Sequence, residues 1–168
     1  MQRIFCFSGN GQGAGKTTAA KKFADQTYSI AGGIRSDLSK KIHDIDWYRT
    51  DQEYKDTKIV YEWGRNVDTD KYMSVREVMI RYGQMMTAED PTYWVDKLVD
   101  HLKQADRIAD MRPSIAIDDV RKVCELDAIR TAFPGKVIHV HILGKGAIEE
   151  KMYDNQELHD IADYVLEW

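Results

Sequence analysis

The sequence predicts an α/β domain with a mainly parallel sheet flanked by helices. Short apolar runs, typical of buried strands, alternate with segments whose apolar residues recur at helical spacing. The first apolar run, RIFCF, leads directly into a glycine-rich segment and then a helix. A later run, SIAIDD, ends in two aspartates. Ligands of such folds bind at the carboxyl edge of the parallel sheet, which is where both features are expected.

The amino-terminal elements follow the order strand, loop, helix. A strand is predicted at residues 3–7, and the glycine loop (residues 8–18, SGNGQGAGKTT) comes next. A helix is predicted at 16–25, which completes the context that a phosphate-binding loop requires. A short strand at 28–33 would end at a glycine pair, and a helix at 36–42 would be capped by its first or second residue.

The middle of the chain is predicted to be helical after a polar segment. Residues 46–70 contain scattered aromatics without a clear period, which predicts a long loop or a small helical insertion. Ser74 and Glu77 form a capping-box pattern, so a helix is expected to follow. Asp90 and Pro91 predict the start of another helix. Its apolar stripe comprises Trp94, Val95, Leu98, Val99 and Leu102.

The carboxyl-terminal part returns to alternation of strands and helices. A strand is predicted at 114–118, followed by a helix that ends near Phe133 because proline and glycine come next. The run KVIHVHIL predicts a strand at 136–143. A short helix and a last strand, DYVLEW, are predicted in the tail.

Composition and charge exclude several classes of protein. With 168 residues the chain is predicted to form a single domain, and its formal net charge of -4 does not suggest a nucleic-acid partner. No apolar run approaches the roughly 18 residues of a membrane span. The start, MQRIFCF, does not resemble a secretory signal, and Cys6 and Cys124 lack metal-ligand spacing. We therefore expect a cytoplasmic protein without nucleic-acid or membrane partners, and a homodimer is a candidate assembly.

The glycine loop has the residue types of a phosphate cradle. Backbone N–H groups at a helix N-terminus bind phosphate, and glycines allow the turns that expose them. Lys16 adds a positive charge for the outer phosphates, and the Thr17 hydroxyl is placed to bind Mg²⁺. The predicted ATP-binding residues are Gly11, Gly13, Ala14, Gly15, Lys16, Thr17 and Thr18.

The spacing of this loop departs from the usual pattern, which has a glycine six residues before the lysine. That position holds Asn10. Asparagine can replace the glycine because it tolerates a left-handed backbone. Alternatively, the loop begins at Gly9 and is one residue longer, which agrees better with the predicted end of the strand. Either interpretation leaves residues 13–17, the half nearest the phosphates, intact.

The two aspartates after the SIAI run are candidate metal ligands. Asp118 or Asp119 can hold Mg²⁺ directly or through water. Arg121 follows closely, and its planar guanidinium can bind a phosphate through two parallel hydrogen bonds. The alternative is a helix cap followed by a surface arginine.

Four motifs in order resemble one family. GAGKTT, SVREVMIRYGQ, DPTYWV and IDDVRKVCE are similar to the deoxynucleoside monophosphate kinases of bacteriophages, a branch of the P-loop nucleoside monophosphate kinases. The resemblance implies a P-loop NTPase fold, with ATP and Mg²⁺ as cofactors. It implies one kinase domain over 1–168, with an acceptor-binding helical insertion at 36–86 and a small lid at 144–158. The host cytoplasm is then the expected location if a phage encodes the chain.

The resemblance also implies residue roles. Arg76 and Arg121 would bind the acceptor phosphate, and Glu125 would lie near the acceptor sugar or base. Arg35 is a further candidate for that phosphate. The acceptor-binding set is then Arg35, Asp37, Lys40, Arg76, Trp94, Arg121 and Glu125. The catalytic set is Lys16, Asp119 and Arg121, and the metal set is Thr17, Asp118 and Asp119.

Two departures from the family pattern concern selectivity and the lid. Cys124 stands where relatives often have asparagine, and no arginine follows Arg130. Alternative functions are a kinase for another small acceptor, such as a nucleoside or sugar acid, and a nucleotide-binding ATPase or regulatory module. His139 and His141 share one strand face and are a candidate metal pair without an obvious third ligand.

Overall fold

The structure is a computed structural model, and it describes residues 3–49, 51–60, 72–108, 113–145 and 155–167. The strands in this part of the chain are β1 (Ile4–Gly9), β2 (Gln26–Tyr28), β3 (Lys58–Val60), β4 (Tyr72–Ser74), β5 (Ile115–Ile117), β6 (Val137–Leu143) and β7 (Tyr164–Glu167). The helices are α1 (Lys16–Phe23), α2 (Ala31–Lys41), α3 (Gln52–Lys55), α4 (Val75–Thr87), α5 (Tyr93–Ile108), α6 (Val123–Ala132) and α7 (Asn155–Asp160).

The chain divides into two compact units. Unit 1 comprises Met1–Ile30 and Val95–Trp168, and unit 2 comprises Ala31–Trp94. Unit 1 contains a five-stranded sheet in the order β2-β5-β1-β6-β7, in which every neighbouring pair is parallel. The predicted α/β class with a parallel sheet flanked by helices is therefore confirmed.

β1 lies at the centre of this sheet because its side chains are apolar on both faces. Ile4, Cys6 and Phe7 are fully buried, as expected for a strand with sheet neighbours on each side and helices above and below. One core cluster consists of Phe7, Ala14, Ala19, Ala20, Ala116, Val140 and Ile142. Ala14 belongs to the glycine loop, so the loop is packed against the core of unit 1.

Unit 2 is mainly helical and contains the antiparallel pair β3–β4. The predicted capping box is present at the start of α4, where Ser74 Oγ accepts a hydrogen bond from the Glu77 amide at 3.2 Å. Glu77 Oε2 in turn accepts from the Ser74 amide at 2.7 Å. These two bonds fix the first turn of α4, whose inward face includes the buried Val75, Val78 and Tyr82.

The predicted strand at 28–33 is wrong in its extent. β2 ends at Tyr28, and α2 begins at Ala31, earlier than expected. The glycine pair belongs to the first turn of α2, because a side chain at Gly33 would meet Trp94 Cε3 at 3.1 Å. Gly33 therefore permits the close approach of Trp94 within unit 2, whereas a side chain at Gly32 would meet no atom within 4 Å.

The polar segment at 46–70 contains short regular elements that the lack of periodicity concealed. α3 and β3 lie within it, while residues 61–71 fall outside the described part of the chain.

α5 begins at Tyr93, two residues after Pro91. Asp90 Oδ1 accepts a hydrogen bond from the Thr92 amide at 3.0 Å just before the helix. The described helices include none with the length and apolar character needed to cross a membrane.

Candidate functional site

The glycine loop connects the end of β1 to the start of α1. β1 continues to Gly9, and α1 begins at Lys16. Gly13 and Gly15 have φ angles of 84° and 90°, a left-handed backbone that other residues seldom adopt. Successive backbone N–H groups in such turns can converge on an anion, and the helix dipole of α1 favours negative charge at the same place.

The Lys16 side chain lies across this loop. Its Nζ donates a hydrogen bond to the Gly11 carbonyl oxygen at 2.7 Å. The ammonium is partly buried at this position and is therefore held next to the backbone of the loop. A charge held in this way is preorganised for an anion that binds at the start of α1.

Two of the predicted metal ligands, Thr17 and Asp118, lie in contact at the carboxyl edge of the sheet. The Thr17 hydroxyl donates to Asp118 Oδ2 at 2.7 Å, which joins the start of α1 to the residue after β5. β1 and β5 are neighbours in the sheet, so the segments that follow them meet at its carboxyl edge. The pair offers hydroxyl and carboxylate oxygens, the ligand type that Mg²⁺ prefers.

Asp119 faces a different part of unit 1 from Asp118. Its Oδ1 accepts from the Ile30 amide at 2.6 Å, and its Oδ2 accepts from the Ser29 hydroxyl at 2.7 Å. The two carboxylates therefore differ in their surroundings. Asp118 contacts Thr17, whereas Asp119 fixes the segment that leads out of β2.

Glu125 forms a cap at the start of α6. Its Oε2 accepts from the Arg121 amide at 2.8 Å and from the Lys122 amide at 3.1 Å. Burial raises the pKa of Glu125 to about 7 despite these hydrogen bonds, and the nearby Asp119 carboxylate adds to the rise. The Arg121 side chain is exposed at the same end of α6.

Ser8, the first residue of the glycine loop, belongs to a buried polar cluster with His139 and His141. Ser8 Oγ is 2.7 Å from His139 Nε2 and 2.8 Å from His141 Nδ1. Burial lowers the pKa of each histidine to about 4, with nearby positive charge contributing, so both rings are neutral near pH 7. Among the described residues, no group of three or more His, Cys, Asp or Glu side chains is arranged to hold a metal.

The sequence interpretation missed Ser8. It had considered the two histidines as metal ligands because they alternate on one face of β6. In the sheet register Ser8 is paired with His141, and Cys6 is paired with His139. Alternation in β1 would have placed Ser8 on one face with Cys6, but the sequence does not reveal which strands are neighbours.

The cationic residues of unit 2 include one that the sequence interpretation missed. Lys55, at the end of α3, has a pKa lowered first by burial and then by the charges of Arg35 and Arg76. Arg76 Nε is 3.5 Å from Asp56 Oδ1. Arg35, Lys55 and Arg76 come from α2, α3 and α4, so three helices contribute positive charge to one region of unit 2.

The other predicted acceptor residues of unit 2 differ in exposure. Lys40 is exposed, and Asp37 Oδ2 accepts from the Tyr82 hydroxyl at 3.4 Å. Trp94 is only 4% exposed, and its indole N–H donates to the Gly83 carbonyl at 3.2 Å. Trp94 is thus an interior packing residue of unit 2.

The predicted lid at 144–158 lies mostly beyond the described residues. Residues 146–154 are not described, while Gly144, Lys145 and α7 are. Gly144 and Lys145 directly follow β6.

Comparisons with protein-family models and with curated proteins find no match to this chain. The functional argument therefore rests on the contacts within each unit. The most informative of them join Lys16 to Gly11 and Thr17 to Asp118.

Proposed function

We propose that this chain is an ATP-dependent P-loop kinase that transfers the γ-phosphate of ATP to a (deoxy)nucleoside monophosphate. One observation carries the proposal. Thr17, at the start of α1, bonds to Asp118, which follows the neighbouring strand β5. The residue before it, Lys16, lies across the glycine loop. This arrangement has the parts needed to hold a phosphate chain and its metal ion.

The donor side is supported by the charges and donors of unit 1. The backbone amides of the glycine loop would surround the β- and γ-phosphates, and Lys16 would move from the Gly11 carbonyl to a phosphate oxygen. Thr17 and Asp118 would hold Mg²⁺, which when bound neutralises charge on the transferring phosphate. The chain's own contribution is to hold the loop backbone, Thr17 and Asp118 in place before ATP arrives, with Lys16 close by.

Two separate cationic features, each described within its own unit, are candidates for binding the acceptor. Arg121 is exposed at the start of α6, and its planar guanidinium suits a phosphate monoester. Within unit 2, the positive charges of Arg35, Lys55 and Arg76 favour an anionic ligand, and Asp51 and Asp56 offset part of that charge. Lys55 thereby joins the residues that we propose for acceptor binding.

The proposed chemistry requires positioning more than covalent catalysis. An oxygen of the acceptor phosphate attacks the γ-phosphorus, and the bond to the oxygen that bridges the β- and γ-phosphates breaks, releasing ADP. Charge on the three equatorial oxygens is neutralised by cationic side chains and the metal ion. In-line placement of two anions accounts for the need for cations on both the donor and the acceptor side.

The proposal is tested by measuring ADP release with ATP alone and with a panel of ribonucleoside and deoxyribonucleoside monophosphates. We expect negligible turnover with ATP alone and rapid turnover with at least one monophosphate. Turnover by ATP alone that no acceptor increases would contradict the proposal and indicate an ATPase module. Turnover that only a nucleoside or sugar acid stimulates would indicate a kinase of another class.

Arg121→Lys is expected to raise the KM for the acceptor about tenfold or more, because an ammonium cannot reproduce two parallel N–H bonds to one phosphate. ATP affinity, measured without acceptor, should change little. Arg3→Lys is the matched control, since Arg3 is an exposed arginine of the same unit outside the proposed site. A tenfold loss of ATP affinity in Arg121→Lys, with an unchanged acceptor KM, would place the arginine on the donor side and contradict the proposal.

The two aspartates after β5 are expected to respond differently to substitution by asparagine. Asp118→Asn should raise the Mg²⁺ concentration needed for half-maximal activity, because it removes the carboxylate beside Thr17. Asp119→Asn should lower the free energy of unfolding by about 1–2 kcal/mol, because it weakens the acceptors of the Ile30 amide and Ser29 hydroxyl. Magnesium titrations and urea unfolding of both variants separate the roles. A larger magnesium effect in Asp119→Asn would reverse the assignment.

A further inference from the structure

Asn10 makes a paired contact with the segment that follows β6. Its side-chain Oδ1 accepts from the Gly144 amide at 3.1 Å, and its Nδ2 lies 3.4 Å from the Gly144 carbonyl oxygen. The Asn10 backbone amide also donates to the Ile142 carbonyl at 3.1 Å. One residue of the glycine loop is thus bonded at three points to the end of β6 and the residue beyond it.

Gly144 lies directly against the middle of the loop. A Cβ atom at Gly144 would be 2.4 Å from Ala14 Cα and 2.7 Å from the Ala14 carbonyl oxygen, so only glycine fits there. Ala14 is 1% exposed and is enclosed by this contact. A Cβ at Gly9 would also be close to this residue, 3.3 Å from Ala14 Cβ. Ala14 is therefore in close contact with both Gly9 and Gly144.

Both bonds to Gly144 come from the side chain of Asn10, which a glycine at this position would not have. A glycine could follow the same backbone path, but it could not bond to either polar atom of Gly144. The backbone of the glycine loop loses conformational freedom when it becomes ordered, which costs free energy. An anchor within the loop offsets part of that loss.

We propose that Asn10 is a positioning residue that holds the glycine loop in its phosphate-binding form by bonding to Gly144. The inference rests on the proposed function of the loop, and it assigns Asn10 to the donor site without contact to the reacting atoms. The bonds of Asn10 hold Gly144 against Ala14, and Ala14 leads into residues 15–17, whose amides and side chains would meet the phosphates. Loss of the Asn10–Gly144 bonds is therefore expected to weaken binding of the phosphate chain of ATP and to leave binding of the acceptor unchanged.

The test measures binding of ATP and of inorganic tripolyphosphate by titration calorimetry, without acceptor, in Asn10→Ala and Asn10→Gly. Both variants are expected to weaken both ligands about tenfold or more, since charge-assisted phosphate contacts depend on the loop geometry. Tripolyphosphate contains only the phosphate chain, so an equal loss for both ligands assigns the effect to the glycine loop. Gln12→Ala is the matched control, because Gln12 is an exposed residue of the same loop.

Hydrogen exchange supplies a second readout that does not depend on ligand. The Gly144 amide donates to Asn10 Oδ1, so its exchange should accelerate in Asn10→Ala and Asn10→Gly but not in Gln12→Ala. Exchange within β1 should stay slow, which shows that the fold is retained. Unchanged protection of the Gly144 amide in both Asn10 variants would overturn the proposed anchor.

Two outcomes distinguish this inference from the proposed function. Wild-type affinity for both ligands in Asn10→Gly would mean that Asn10 only substitutes for a glycine, and the inference fails. In that case Lys16→Ala still weakens ATP binding if the loop is the donor site. If Lys16→Ala leaves ATP and tripolyphosphate binding unchanged, the proposed function itself fails.

Discussion

Lys16→Ala is expected to reduce phosphoryl transfer by a factor of several hundred or more while the protein stays folded. The lysine lies across the glycine loop with its Nζ 2.7 Å from the Gly11 carbonyl, next to the threonine that bonds Asp118. Removing one preorganised charge from a transferring phosphate costs roughly 3–4 kcal/mol, by analogy with loss of one oxyanion-hole donor. Steady-state rates with the preferred acceptor give the effect on transfer.

Folding is expected to survive this change because Lys16 contributes no buried apolar surface to the core cluster. Circular dichroism and urea unfolding of Lys16→Ala should therefore match wild type within about 1 kcal/mol. Lys21→Ala is the matched control: it removes an exposed lysine from the same helix, α1, and should keep wild-type activity. Activity of folded Lys16→Ala within about tenfold of wild type would contradict the assignment of the loop.

The sequence was sufficient where local patterns determine local structure. Continuous apolar runs identified β1, β5 and β6, because strands of a parallel sheet that is covered by helices are buried on both faces. The capping box at Ser74 predicted the start of α4 correctly. The parallel sheet followed from the alternation of these elements, and so did the meeting of Thr17 with an aspartate after β5.

Contacts between distant residues could not be predicted in the same way. Asn10 and Gly144 are 134 residues apart, and nothing near either residue in the sequence indicates the pairing. The choice between Asp118 and Asp119 also depended on which neighbour each carboxylate faces, since both follow the same strand. Such contacts depend on strand order and packing, which composition and periodicity do not predict.

The role of Glu125 illustrates how resemblance and structure supply different information. Its match to the family motif implied a position near the acceptor sugar or base. The structure adds that its carboxylate caps α6 through the Arg121 and Lys122 amides. A residue that fixes the backbone of Arg121 orients that arginine as well, so capping and acceptor binding by this end of α6 are compatible.

Acidification is expected to destabilise the protein through the buried cluster of Ser8, His139 and His141. His139 and His141 have pKa values lowered from 6.5 to about 4 by burial and nearby positive charge. Between these values the unfolded chain binds protons that the folded chain does not, so the free energy of unfolding falls as pH decreases from 6.5 to 4. A shift of this size corresponds to about 3 kcal/mol for each histidine.

Glu125 acts in the opposite direction over nearly the same range. Its pKa is raised from 4.5 to about 7, so the folded chain binds the extra proton between those values. Acidification from pH 7 to 4.5 therefore adds roughly 3 kcal/mol of stability from this residue. The loss from the two histidines is larger than the gain from Glu125, so the free energy of unfolding of wild type falls moderately on acidification. Titration of wild type alone would therefore underestimate the contribution of the histidines.

Variants that do not titrate separate these opposing contributions. The double variant His139→Gln/His141→Gln retains amides that can bond to Ser8 Oγ, and its stability should no longer fall between pH 6.5 and 4. Glu125→Gln should show a steeper acid loss than wild type, because the compensating proton uptake is removed. His43→Gln is the matched control, since His43 is exposed and its loss should leave the pH dependence as in wild type.

Urea unfolding at pH 7.5, 5.5 and 4.5 measures all four proteins on one scale. The histidine rings bond to Ser8, which lies in β1 and is the first residue of the loop that we propose to bind ATP. Protonation of either ring introduces a buried charge, and protonation of the nitrogen that accepts the Ser8 hydroxyl hydrogen also breaks that bond. If the double histidine variant loses as much stability as wild type on acidification, the buried cluster is not the acid-sensitive element of the fold.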